Sequence, residues 1–320
     1  MPPALANLCR LQAISHHPMQ QKQSSEVWLV AGIVVSMFLW GLSWPSGKVL
    51  SGYCSAINFS VYRYAIVLVS MVLILLATRT SFGLQRKGIP IVATAGLLLA
   101  VYSYLFYKGL KTGSPGAGGV LVTIMNPLMA YVLGLVLDRR RPTGREGAGL
   151  AVGIVAGVVL LQLWSNTSSL LDSGNLYFLF AAFTWAVMSK FTSRGGRYGS
   201  SLGFSLWQYL VTFLCMLPLA DVAEFRQALQ IHDTVFWGNL FFSSAIVTAG
   251  ATTMYFYATT RLGAEKASSF IFLVPLCASV SSWGLLGEQI KLHTAIGGVL
   301  GITAVYIMNR RRMPANRIDK

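Results

Sequence analysis

The chain has 320 residues, of which 54% are hydrophobic and 11% charged, and its formal net charge is +15. That balance excludes a single soluble core, because apolar stretches recur more often than one globular interior needs. Cys9, Cys54, Cys215 and Cys277 show neither metal-ligand nor paired spacing, and with His16–His17 in a polar tail and His232 and His293 at span ends the sequence points to no metal and no cofactor.

In chain order, residues 1–26 are polar and carry Gln20, Gln21 and Gln23. They lack the apolar core of about 7–15 residues that marks a signal peptide, and read as a disordered cytoplasmic extension. Ten apolar segments follow, near 27–50, 55–78, 89–109, 116–137, 147–164, 174–193, 203–220, 235–258, 267–286 and 292–309. Each is close to the ~20 residues a helix needs to cross a ~30 Å hydrocarbon layer. Gly, Ser, Thr and Lys interrupt the third, fourth and eighth. The alternating segments of a membrane barrel are absent. A basic tail, 310–320, closes the chain. The expected class is an all-α integral membrane protein.

The sequence repeats itself. "NFSVYRYAIVLVSM" (58–71) returns as "GFSLWQYLVTFLCM" (203–216), pairing Phe59 with Phe204, Ser60 with Ser205, Tyr64 with Tyr209 and Met71 with Met216 at an offset of 145. "FYKGLKTGS" (106–114) pairs with "FYATTRLGA" (256–264) at 150, and Pro127, Gly149 and Gly153 pair with Pro275, Gly297 and Gly301 at 148. Two units, 27–164 and 165–309, of five spans each put the second copy upside down, an inverted repeat of the kind secondary transporters use.

Charge location supports ten spans. With both termini cytoplasmic, the inner segments hold 19 of the 25 basic residues. The outer ones hold Lys48, Lys108, Lys111, Arg226 and Lys291 against five acids, Asp172, Asp221, Glu224, Asp233 and Glu288. This is the positive-inside bias. Membrane lipids explain the basic inner face more simply than nucleic acid does.

Within the spans, Arg63 stands out. A central Arg costs about 2.5–3.5 kcal/mol on insertion scales, so it faces the bundle interior. Two readings stay open: its guanidinium meets an anionic group of a substrate, or it snorkels to the outer headgroups. Its counterpart in the second repeat is Gln208. In the first span Trp40 and Trp44 share a helix face with Ser43 beside them, as cavity wall or as interfacial belt. Trp185 matches Trp40 at the offset of 145, which favours that pair as cavity walls. Pro45 removes a backbone bond and suits a kinked, substrate-lining helix. Asn126 lines the cavity or binds the carbonyl freed by Pro127. Tyr104, Tyr107, Thr253 and Tyr257 mark similar faces of the third and eighth spans, while Tyr102 and Tyr255 lie on other turns and equally suit lipid. Gly147, Gly149, Gly153 and Gly157, with Gly297, Gly298 and Gly301, form small-residue stripes for close packing.

No Asp or Glu lies well inside any span: Asp138, Glu146, Glu265 and Glu288 fall at ends or in loops. The buried carboxylate that proton- and sodium-coupled carriers often use is missing. No carboxylate pair or nucleophile and base stand at readable spacing, so no enzyme is expected.

These residues resemble a known family. The paired five-span repeats, Trp40, Gly41 and Lys48 of the first span, Arg63 and Tyr64 of the second, Pro127 and Pro275, and Leu285, Leu286, Gly287 and Glu288 are similar to the drug/metabolite transporter superfamily, in particular its EamA-like ten-span exporters, over about residues 27–309. The chain departs from the pattern at Arg139 and Arg140, where the first repeat would carry Gly-Glu, so Glu288 has no twin and is expected to cap and orient loops. The resemblance implies an inner-membrane carrier that exports amino acids, other metabolites or drug-like solutes by alternating access, with small-molecule solute and lipid as partners, as monomer or homodimer. Its substrate-binding candidates are Trp40, Ser43, Trp44, Arg63, Tyr104, Asn126, Trp185, Gln208 and Tyr257. Proton antiport, facilitated efflux and exchange all remain open. Two alternatives stand beside it: a membrane sensor or assembly scaffold without flux, and a nucleotide-sugar or phosphate-ester exchanger. The latter wants a second deep cation, for which Lys190 and Lys108 are the candidates.

Overall fold

The computed structural model describes residues 3–309 except 138, 140, 161, 163 and 165–172. The described residues are helical with short connections, and their one strand-like pairing is a single bridge between Leu84 and Gly199. In chain order α1 is Pro3–Ser51, α2 Ala56–Ala77, α3 Ile89–Thr112, α4 Pro115–Leu137, α5 Gly144–Leu160, α6 Ser173–Thr192, α7 Ser201–Met216 and α8 Val222–Leu229. Then come α9, Thr234–Leu262, α10, 264–286, and α11, Leu292–Asn309. Each of the ten expected segments is thus a helix. Six stretches, 27–51, 56–77, 86–112, 118–137, 201–219 and 234–262, have the length and apolarity to cross a bilayer unaided.

Two helical stretches lie outside the ten expected segments. Helix α1 begins at Pro3, so its backbone runs back through the segment read as a disordered extension; a proline at the first helical position followed by Ala4, Leu5 and Ala6 suits a helix start. Helix α8 lies in what was read as a loop. Asp221 caps it, accepting from the Ala223 and Glu224 amides at 2.8 and 3.0 Å, a D-x-x-E start that the sequence carries openly. The basic tail, 310–320, lies outside the described residues.

The duplicated unit recurs in the local chemistry. Ser55 caps α2 by accepting from Asn58 N at 3.3 Å, and Ser200, 145 residues on, caps α7 by accepting from Gly203 N at 2.9 Å. Packing follows the same pattern. Helix α1 lies against α9 and α10, as α6 lies against α3 and α4; α2 crosses α7, α4 crosses α10, and α5 pairs with α11.

Proline and glycine decide how closely α1 meets α10. Pro45 sits within α1 and cannot donate to the Gly41 carbonyl one turn back. Ser281 of α10 donates to that carbonyl at 3.2 Å. The helices approach so nearly that a Cβ on Gly41 would lie 2.1 Å from Cβ of Cys277. The outer surface is apolar: Val69, Leu73 and Leu76 on α2, and Leu276, Val280 and Trp283 on α10, are all largely exposed. Stripes of that spacing on an outward face fit hydrocarbon. The protein is a multi-pass integral membrane protein.

Candidate substrate cavity

The interior holds a cavity of about 720 Å³, part of it open space. It lies in the half of the bundle where α1 and α3 end and α2 and α4 begin. Trp40, Ser43 and Trp44 of α1, Arg63 and Tyr64 of α2, Tyr102, Phe106 and Tyr107 of α3, Thr123 and Asn126 of α4 and Trp185 of α6 line it. The remaining wall includes Ser243, Val247, Thr248 and Thr252 of α9.

Aromatic rings form the floor and sides. Trp40 and Trp185 meet edge to face at 5.2 Å between centroids, so the two repeats touch at these twin residues. Tyr255 stands 4.9 Å from Trp40, and Tyr102 stands 4.6 Å from Trp185. Trp44 is held against Phe106 at 4.8 Å. Trp40 turns its indole N–H away from the hydrocarbon and donates to Thr252 Oγ1 at 3.1 Å.

Helix α9 presents its wall through an unusual winding. Residues Phe242–Thr252 form a π-helix. Its run of Ser, Ala, Gly and Thr lets hydroxyls reach carbonyls five residues back, Thr248 to Ser243 O at 2.8 Å and Thr252 to Val247 O at 3.2 Å. The wider winding puts 243, 247–248 and 252 on one face, toward the cavity.

Arg63 is the cation of this cavity lining. It is only 8% exposed. Its guanidinium donates to the Tyr107 hydroxyl and, at 3.1 Å, to the Tyr64 hydroxyl. Its Cζ lies 4.8 Å from the Tyr64 ring centre and 5.2 Å from that of Tyr107. Among the described residues its partners are phenols, not carboxylates, and its Nε has no partner. Tyr64 is fixed in turn by Ser103 Oγ at 2.8 Å. In the second repeat Tyr209 bonds Thr253 Oγ1 at 2.9 Å and the Thr248 carbonyl at 3.1 Å, the same device at the twin positions. Phenols and rings soften a buried guanidinium but do not neutralise it. The cavity therefore presents a positive end beside a polarisable aromatic wall.

Of the nine candidate residues, Trp40, Ser43, Trp44, Arg63, Asn126 and Trp185 meet at this cavity, and three do not. Tyr104 points to the outside of α3 and is exposed. Gln208 is fully buried, and its side-chain carbonyl accepts from Thr192 Oγ1 at 3.1 Å. Tyr257 lines a second pocket of about 1510 Å³ with Lys190, Arg194, Arg197 and Arg261. Tyr102 and Tyr255, whose spacing equally suits lipid, turn inward: Tyr102 lines the cavity and Tyr255 is fully buried beside the twin tryptophans. Asn126 does not serve the carbonyl freed by Pro127; its amide donates to Ala182 O of α6 at 3.2 Å and its Oδ1 is left without a partner.

Two residues of the family resemblance are structural. Lys48 Nζ donates to the carbonyls of Leu110 and Gly113 at 2.8 and 2.9 Å, closing the C-terminus of α3. Glu288 accepts from Ser114 Oγ and Gly116 N, both at 3.0 Å, capping the start of α4 as expected of a loop-orienting group.

An all-helical membrane protein enclosing a cavity of this kind between its helices is the architecture of a small-solute transporter. The chain belongs to the EamA-like transporter family, whose pattern it matches twice, over residues 27–162 and again over 172–310. Among its relatives, an uncharacterized transporter, YoaV, of Bacillus subtilis (strain 168) is 22% identical over 88% of this chain and 96% of its own length. A probable terminal-alkyne amino-acid exporter of Streptantibioticus cattleyicolor is 26% identical over 92% of this chain and 97% of its own. A protein of known crystal structure shares the fold, with a TM-score of 0.62 at 17% identity over 87% of this chain and 97% of that one.

Proposed function

We propose that the protein is a secondary carrier that exports small carboxylate-bearing solutes with an apolar or aromatic body, amino acids among them, across a bacterial inner membrane. The observation that carries this reading is Arg63, buried without a carboxylate partner at the edge of an aromatic cavity. A carboxylate accepts two parallel hydrogen bonds from a guanidinium, and rings of Trp40, Trp44 and Tyr102 offer stacking for the rest of the solute and π faces for an ammonium. A relative named as a probable amino-acid exporter favours the same class.

In this reading ten helices cross the membrane as two inverted five-helix repeats that rock about the cavity, with both termini cytoplasmic. The matched caps, the exchange-symmetric helix packing and the twofold family match all support it. A phosphate ester is disfavoured, because Arg63 is the single cation lining this cavity among the described residues. Lys48 is engaged by backbone carbonyls, and Lys190 belongs to the other pocket.

The test is transport into proteoliposomes of labelled amino acids, aromatic monocarboxylates, nucleosides, sugars and cationic drugs. Carboxylates are expected to move and cationic drugs are not. Arg63→Gln should cut carboxylate transport by about tenfold or more, the loss of one charge-assisted pair. Rapid movement of cations that survives Arg63→Gln would refute the reading.

A further inference from the structure

The inverted repeat makes the present burial of one residue a forecast for another. If the two repeats exchange conformations when the carrier reorients, Arg63 comes to occupy the environment that Gln208 occupies here. Arg63 now lies 8% exposed on the cavity wall, whereas Gln208 is 0% exposed within the bundle. Gln208 has one hydrogen bond, from Thr192, and its Nε2 is unpaired. A neutral amide tolerates that place at modest cost. A guanidinium does not, because enclosing an unpaired cation costs several kcal/mol. Tyr64 and Tyr107 already contribute both their hydroxyls and their rings to Arg63, and the Nε still lacks a partner. The protein side of the site among the described residues supplies no negative charge for the crossing.

We propose that the carrier is an anion exchanger: the empty site does not return across the membrane, because Arg63 passes through the enclosed state only with an anion bound, and a small anion from the opposite side must accompany each return. This rests on the carrier reading above and adds the mode of coupling. The shared chemistry of the returning ligand is a small anion able to reach a guanidinium, either a carboxylate or a halide. Exchange of one monoanion for another moves no net charge, so a membrane potential leaves that exchange unchanged, whereas a zwitterionic amino acid exchanged for a monoanion moves one charge per turnover.

The experiment uses the full chain in proteoliposomes, with an isotope-labelled panel of amino acids and aromatic and aliphatic monocarboxylates outside. The lumen holds unlabelled panel, chloride, or only a bulky sulfonate buffer. Uptake should be more than about tenfold faster with a small anion inside than with the sulfonate alone, as the cost of enclosing a bare cation demands. Acceleration by unlabelled panel alone identifies the returning anion as a carboxylate, and acceleration by chloride as well identifies a halide. Equal uptake in all three lumens would overturn exchange and leave the carrier reading standing. No uptake in any lumen would remove the carrier reading and the proposal together. Arg63→Gln gives α2 the residue its twin already has, and whatever flux it retains should lose the dependence on a luminal anion. Should that variant fail to fold or transport, the three lumens of the native protein still decide.

Discussion

At the scale of single residues, buried polar groups with and without partners occur both at the cavity and away from it. Lys48, Glu288 and Ser281 each serve named backbone groups, whereas Arg63 Nε and Asn126 Oδ1, both at the cavity, have no partner. Ser281 is the clearest scaffold case, because the Gly41 carbonyl that it serves has lost its own helical donor to Pro45. Ser281→Ala should leave that carbonyl unpaired in a buried contact and lower stability by about 1–3 kcal/mol. Thermal unfolding in detergent measures this, and an unchanged midpoint would mean that water or a lipid headgroup replaces the serine. The cysteines give a second expectation. Cys54, in the connection between α1 and α2, is buried, and loss of hydration pushes its thiol up to about 12. A thiol so placed is almost wholly protonated at neutral pH. A maleimide should therefore leave Cys54 unmodified in the folded protein and label it on unfolding, as peptide mass spectrometry would show.

At the scale of elements, α8 joins the outer connections into one assembly. Glu224 accepts from the Ser55 amide, from Ser55 Oγ at 2.6 Å and from Asn58 Nδ2 at 2.8 Å, while Tyr62 stacks on Phe225 at 4.2 Å. Glu224→Gln keeps the volume but weakens three charge-assisted bonds to the start of α2. Amide exchange over 222–229 should quicken, with exchange in α5 and α11 as the unaffected comparison. Near it, Tyr53 donates to Asp233, and this bond holds the Asp233 carboxyl below its ordinary value. A carboxylate with a lowered folded pKa stabilises above its unfolded value and loses that contribution as pH falls through the folded one. Acidification from pH 5 should therefore loosen the α8–α9 connection in the native chain and not in Asp233→Asn. The positions of all ten long helices were legible because each is an apolar stretch, six of them long and apolar enough to cross a bilayer. Which face each turns inward was less so. Tyr102 and Tyr104, two residues apart, lie on opposite faces of α3, and spacing within one helix does not say which face turns inward. The π-winding of α9 shifts its inner face off an ordinary helical period, so Thr248 and Thr252 escaped notice, although the dense Ser, Gly and Thr of 243–253 marked the stretch as irregular. Helix α8 was readable from Asp221 and Glu224, and was obscured by taking a short polar segment between spans for a loop.

At the scale of the whole molecule, the outward belts of Leu, Val and Trp place the bundle in hydrocarbon, but they do not say which end faces the cytoplasm. In the proposed orientation the positive-inside bias puts Arg79, Arg86, Arg194, Arg197 and Arg261 on the cytoplasmic side and Arg226 and Lys291 on the other. In the proposed inversion, an odd number of crossings per repeat would turn Gln208 and Arg63 toward opposite ends, and an even number would bring them to the same one. Topology is thus the premise on which both alternating access and anion exchange stand, and it can be measured without any substrate. Two single-cysteine proteins on a background lacking the native cysteines suffice, Arg197→Cys in the turn before α7 and Arg226→Cys on α8. In intact bacterial cells a membrane-impermeant maleimide should label position 226 at once and position 197 only after permeabilisation. These two sites flank the single helix α7, so opposite labelling requires α7 to cross the membrane and fixes its direction. Labelling of both from outside would mean that α7 does not span, would end the equivalence of α2 and α7, and would remove the reason for expecting Arg63 to pass through an enclosed state at all.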